Sequence, residues 1–143
     1  MTGLASVSPR IAQVNLIAAD LPALAAFYRK LFSGHETPSV NPDGYRGIDI
    51  GGSVIGISAA AVRDALNLQQ GCMGGCAPLA DSSFVSIELI DRTSVDTKVQ
   101  TAVQLGATLL DGPGITPFNW YCATLRDPEG HAFRVFSQQS VGS

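Results

Sequence analysis

Apolar and polar positions alternate from Arg10 to Ala18 and again from Ser83 to Ile90, the pattern of strands with one buried face. After each stretch comes an aspartate, Asp20 or Asp91, then a run with helical spacing that ends near Gly34 or Gly106. In the first helical run, Leu24, Phe27, Tyr28 and Leu31 form one apolar stripe. Asp20 is placed to accept the free N–H groups of the first turn, and Pro22 is tolerated there because its position needs no intrahelical donor. The second run, about Val95 to Leu105, has a thinner stripe of Val95, Val99, Ala102 and Val103. Both glycines suit a left-handed helix exit.

Further strands are expected at His35 to Val40, Tyr45 to Ile50, Ser53 to Ala59, Ala107 to Leu110, Trp120 to Leu125 and His131 to Ser137. Gly51-Gly52-Ser53 reads as a hairpin turn, and Asp127-Pro128-Glu129-Gly130 suits a type I turn closing the last hairpin. Ala60 to Leu68 has room for a short helix within a linker. The chain thus repeats a β-α-β-β-β unit: one α+β domain over residues 1–143, with module one at about 10–59, a linker at about 60–81 and module two at about 82–137. Two such modules form a concave mixed sheet with the helices on its outer face. The opposite face stays open to a ligand.

Side-chain parity then sorts the strands. Val14, Leu16 and Ala18 should face the first helix, leaving Gln13, Asn15 and Ile17 on the concave face. Val85, Ile87 and Leu89 should face the second helix, leaving Phe84, Ser86 and Glu88 in the cavity, and Phe133 with Val135 leaves Arg134 and Phe136 there. Trp120 and Tyr121 have opposite parity, so only one points inward, and Trp120 is preferred. The candidate ligand-binding set is Gln13, Asn15, Phe84, Ser86, Glu88, Trp120, Tyr121, Arg134 and Phe136. Aromatic walls with a few fixed polar groups suit a small molecule. Each member also has a plainer reading: Gln13 and Asn15 as solvated sheet groups, Glu88 and Arg134 as a structural ion pair, and the aromatics as core. The Glu88–Arg134 pair could also hold a ligand carboxylate on Arg134, whose forked donors match that group. His35 and His131 read as surface or capping residues.

The opening Ile11-Ala-Gln-Val-Asn-Leu-Ile-Ala-Ala-Asp-Leu21 with Phe27-Tyr28, and the closing Arg126-Asp-Pro-Glu-Gly130 with His131-Ala-Phe-Arg-Val-Phe136, carry a family resemblance. The chain resembles the vicinal-oxygen-chelate superfamily (the glyoxalase, bleomycin-resistance and extradiol-dioxygenase fold) over about residues 10–137. The resemblance implies metal ligands at three positions on the concave face: the first strand, the start of the strand that opens module two, and the last strand. In this sequence those positions hold Gln13, Phe84 and Arg134. Only Gln13 offers a usable donor, so no metal and no cofactor are expected.

Composition narrows the partners. A net charge of −3 and nine scattered basic residues argue against nucleic acid. No apolar run approaches the roughly 20 residues that span a bilayer, and Met1 to Pro9 has no apolar core of signal-peptide length, so a cytoplasmic, non-membrane protein is expected. Cys72, Cys76 and Cys122 read as reduced thiols, because no further Cys/His pair completes a zinc set. No nucleophile elbow, P-loop or dinucleotide fingerprint occurs.

Three functions follow. The first is a metal-free small-molecule-binding protein that sequesters a partly aromatic ligand. The second is a superfamily enzyme (lyase, isomerase or dioxygenase) with an atypical metal site or Glu88 as general base. The third is a scaffold domain. The superfamily's habit of pairing implies a homodimer, which light scattering would contradict by reporting a monomer.

Overall fold

The strand order is the same in both halves of the chain. The computed structural model describes residues 8–68 and 82–138. Module one contains β1 (Gln13–Ala18), α1 (Leu21–Phe32), β2 (His35–Glu36), β3 (Tyr45–Ile50) and β4 (Ser53–Ala59), followed by the short α2 (Val62–Ala65). Module two contains β5 (Val85–Glu88), α3 (Arg92–Gln104), β6 (Thr108–Ile115), β7 (Tyr121–Arg126) and β8 (Ala132–Ser137). The two sheets run β1-β4-β3-β2 and β5-β8-β7-β6. The β1–β4 and β5–β8 pairs are parallel and the others antiparallel. Cys72 and Cys76 lie outside the described residues.

Local chemistry explains most boundaries. The Asp20 carboxylate accepts the Ala23 N–H at 3.1 Å, and Asp91 accepts the Ser94 N–H at 2.8 Å, so each helix begins at its expected cap. The exit of α1 differs from expectation. The left-handed residue is Ser33 (φ 52°), not Gly34. Gly34 is needed instead for close approach, since a Cβ there would lie 2.8 Å from the Asp49 carbonyl oxygen. In α3, Val103 is 48% exposed and drops out of the expected stripe, while Val95, Val99 and Ala102 are buried.

Two strands also differ. β2 stops at Glu36, just before Pro38, which has no N–H for a ladder bond. β6 runs on to Ile115, and its register against β7 shifts between Leu109 and Asp111 and again before Gly114. Those bulges let a Gly-Pro-Gly stretch that looks like a turn remain in a sheet.

A single apolar core runs under both modules. Phe133 of β8 packs against α1 of the other module, with ring centroids 6.2 Å from Phe27, 5.9 Å from Tyr28 and 6.4 Å from Phe32. The β7–β8 turn adds a polar latch. Both Glu129 carboxylate oxygens accept backbone N–H groups at the end of β1, from Ala19 at 2.6 Å and Asp20 at 2.8 Å. Asp127, 3% exposed, accepts the Tyr28 hydroxyl at 2.7 Å. His131 lies 2.9 Å from the same carboxylate through Nδ1 and 3.0 Å from the Ile17 carbonyl oxygen through Nε2. Since a carbonyl only accepts and a carboxylate faces the other nitrogen, this geometry calls for a donor at both ring nitrogens and favours the imidazolium form of His131. The helices therefore cover one side of the paired sheets and leave the other side bare.

Candidate functional site

On module one, β1 directs Gln13 and Asn15 to the bare face. The Gln13 side-chain N–H donates to Asn15 Oδ1 at 3.0 Å, and Gln13 Oε1 accepts the Tyr45 hydroxyl at 2.6 Å. Tyr45 was not legible as a site residue. It fits because Gly47 and Gly56, which pair across β3 and β4, carry no side chains. A Cβ on Gly56 would lie 2.5 Å from Asn15 Oδ1 and 2.9 Å from the Tyr45 ring, and one on Gly47 would lie 2.9 Å from the Tyr45 hydroxyl. The sequence carries only half of this signal, Tyr45-x-Gly47 on one strand face; the pairing of Gly47 with Gly56 comes from the fold.

On module two, parity holds for Ser86, Glu88, Arg134 and Phe136, with Ser86 opposite Arg134 and Glu88 opposite Phe136. Arg134 Nε donates to Ser86 Oγ at 3.1 Å. Its guanidinium carbon lies 5.3 Å from the Phe84 ring centroid, 5.9 Å from Phe118, 5.4 Å from Trp120 and 5.5 Å from Phe136. The Trp120 and Phe136 rings stack at 4.2 Å and 11°, and Phe118 meets Trp120 edge-on at 5.2 Å. Phe118 was missed because it sits in the loop before β7, where alternation gives no facing. Cys122 lies opposite Phe136 on this face. Burial pushes its thiol up, and the Arg134 charge pulls the other way.

One expectation is corrected and one alternative falls. Tyr121 belongs to the helix face, not the cavity: its hydroxyl donates to Asp96 at 2.7 Å, and the Arg92 guanidinium carbon lies 5.2 Å from its ring. Trp120 is the inward member of the pair. The alternative of a Glu88–Arg134 ion pair is not made: Arg134 turns its Nε to Ser86, its direct partner in the register.

The site is divided. Two grooves of about 590 and 700 Å³ follow the seam between β1 and β5, one lined by Gln13, Ser86 and Glu88, the other by Asn15 and Phe84. Val14 has the expected parity but opens onto this seam and is 39% exposed. Arg134, Trp120 and Phe136 line neither groove and form a separate cluster across the sheet.

The donor set does not fit a divalent metal. Both ends of the Gln13 amide are engaged, Phe84 has no donor, and Arg134 holds a fixed positive charge. Among the described residues, no group of three or more His, Cys, Asp or Glu side chains is arranged to hold a metal ion. Among the same residues, no helix is long and apolar enough to cross a membrane.

A glyoxalase-like domain model matches residues 13–136. Among solved structures, a glyoxalase/bleomycin resistance protein/dioxygenase family enzyme from Burkholderia phytofirmans PsJN is similar at 30% identity, with a TM-score of 0.78 over 90% of this chain and 98% of that one. A lactoylglutathione lyase from Agrobacterium tumefaciens (18% identity, TM-score 0.67, 95% and 98% covered) shares the fold. So does the fosfomycin resistance protein FosX from Listeria monocytogenes (15% identity, TM-score 0.65, 96% and 97% covered). No curated protein matches the sequence.

Proposed function

Because the chain belongs to the glyoxalase-like domain family, within the glyoxalase/bleomycin resistance/dioxygenase (vicinal oxygen chelate) group, we propose that it is a metal-free binding protein that sequesters a partly aromatic small molecule on its concave face. One observation carries this reading. At the last-strand position, where the family resemblance implies a metal ligand, this chain holds Arg134 within 6 Å of four aromatic ring centroids. A cation there opposes a metal, whereas stacked rings offer a ligand apolar area with little loss of side-chain freedom. Sequestration needs shape and stacking, and no reaction chemistry.

The test is native mass spectrometry of chelator-treated protein against a small-molecule library, repeated with W120A. A stoichiometric complex that survives chelation is expected. W120A should weaken it about 10-fold or more, since a stacked, partly buried aromatic contributes roughly 1–3 kcal/mol. A complex that forms only with added metal would refute the reading.

Glu88 keeps a second reading open. It lies in the seam groove with Gln13 and, among the described residues, makes no ion pair, which suits a general base. Unchanged turnover of a confirmed substrate by E88Q would remove it.

A further inference from the structure

Among the described residues, Arg134 is a fixed cation without a counter-charge. Its five N–H donors lie in one plane, and among the described residues only Nε has a partner, Ser86 Oγ at 3.1 Å. Rings surround the guanidinium but supply no in-plane acceptor. The ion pairs among the described residues, Glu36 with Arg46 and Asp127 with His131, lie elsewhere. Glu88, the nearest acidic residue along β5, sits opposite Phe136 instead.

The ring faces attract the guanidinium through its π-facing surface, but they leave its in-plane N–H donors for water or an anion to meet. With Nε engaged, the edge formed by the two terminal nitrogens remains, and its two parallel N–H bonds match the two oxygens of a carboxylate. Phe84 and Phe118 are 55% and 54% exposed, so part of each ring is open for a planar ligand group to pack on.

We propose that Arg134 is the anion anchor of the site and that the ligand is an aromatic carboxylate, its carboxylate on the terminal guanidinium edge and its ring against Phe84 or Phe118. This rests on the binding-protein reading above and adds the ligand's chemical class. A planar carboxylate carrying a ring suits this edge better than a phosphate, because a phosphate has no apolar part to pack on the open faces of Phe84 and Phe118.

The chain's sole tryptophan, Trp120, reports directly, with the Arg134 Nε–H as a second probe. ¹⁵N-labelled protein is titrated with benzoate, with its neutral isostere benzamide, and with inorganic phosphate, following the Trp120 indole N–H and the Arg134 Nε–H resonances. Benzoate should shift both saturably, with benzamide and phosphate at least 10-fold weaker. R134Q should reduce benzoate binding to the benzamide level, while R134K, which keeps the charge without the fork, should recover only part of it. Equal binding of benzoate and benzamide, or unchanged benzoate binding by R134Q, overturns the anchor and leaves the cavity reading standing. Phosphate binding as tightly as benzoate overturns the aromatic part. No shift with any of the three counts against both readings.

Discussion

Phe133→Ala should cost about 3–5 kcal/mol, the usual range for deleting a fully buried phenyl ring and leaving a cavity. That is a large share of a typical stability of roughly 5–15 kcal/mol. Phe133 is 1% exposed, and its ring meets Phe27, Tyr28 and Phe32 across the module boundary. The cavity would therefore open between α1 and β8, and the two modules would loosen together. Urea unfolding followed by circular dichroism should show one transition at a lower midpoint. A loss below about 1 kcal/mol would mean that the modules do not share this core.

Asp127→Ala should also be damaging, at about 2–3 kcal/mol, because it leaves the buried Tyr28 hydroxyl and the part-buried His131 ring without their carboxylate partner. The same latch predicts a pH dependence. The hydrogen bond to Asp127 holds the His131 ring above the ordinary histidine range, although burial opposes it. Burial pushes the Asp127 carboxyl up, but hydrogen bonds from His131 and Tyr28 outweigh this and hold it below the usual carboxylate range. A raised histidine pKa adds stability that is complete below about 6.5 and lost as pH rises through the folded value. A lowered aspartate pKa adds stability that is present above about 3.9 and lost as pH falls through the folded value. The latch should therefore contribute most between about pH 4 and 6.5. H131Q should be clearly less stable than wild type at pH 6, and the gap should narrow toward alkaline pH. A gap that does not change with pH would show that His131 is not charged in the folded state.

The repeat was legible because both modules state their elements locally. Alternation in β1 and β5, an aspartate cap before each helix and a Gly-bearing turn before β4 and β8 need no tertiary information. Facing on β5 and β8 was also legible, since the apolar sets Val85 with Ile87 and Phe133 with Val135 fix the opposite parity for Ser86 and Arg134. Contacts set by distant chain segments were not. Tyr45 reaches Gln13 only because two glycines meet across β3 and β4. The Asp127–His131–Tyr28 latch joins a turn to a helix far earlier in the sequence, so His131 read as an ordinary surface or capping residue. Arg134 was read beside Glu88, and the actual register, Arg134 against Ser86, follows from the β5–β8 pairing, which sequence periodicity does not fix.

The central claim is that the concave face binds its ligand without a metal. Calorimetric titration of the purified, chelator-treated protein with Fe(II), Mn(II), Ni(II) and Zn(II) tests it most directly. The geometry around Gln13, Phe84 and Arg134 predicts no stoichiometric site on that face, and R134Q should leave the titrations unchanged. A one-to-one, micromolar-or-tighter site that is lost in Q13A would contradict the claim and put the enzyme reading first.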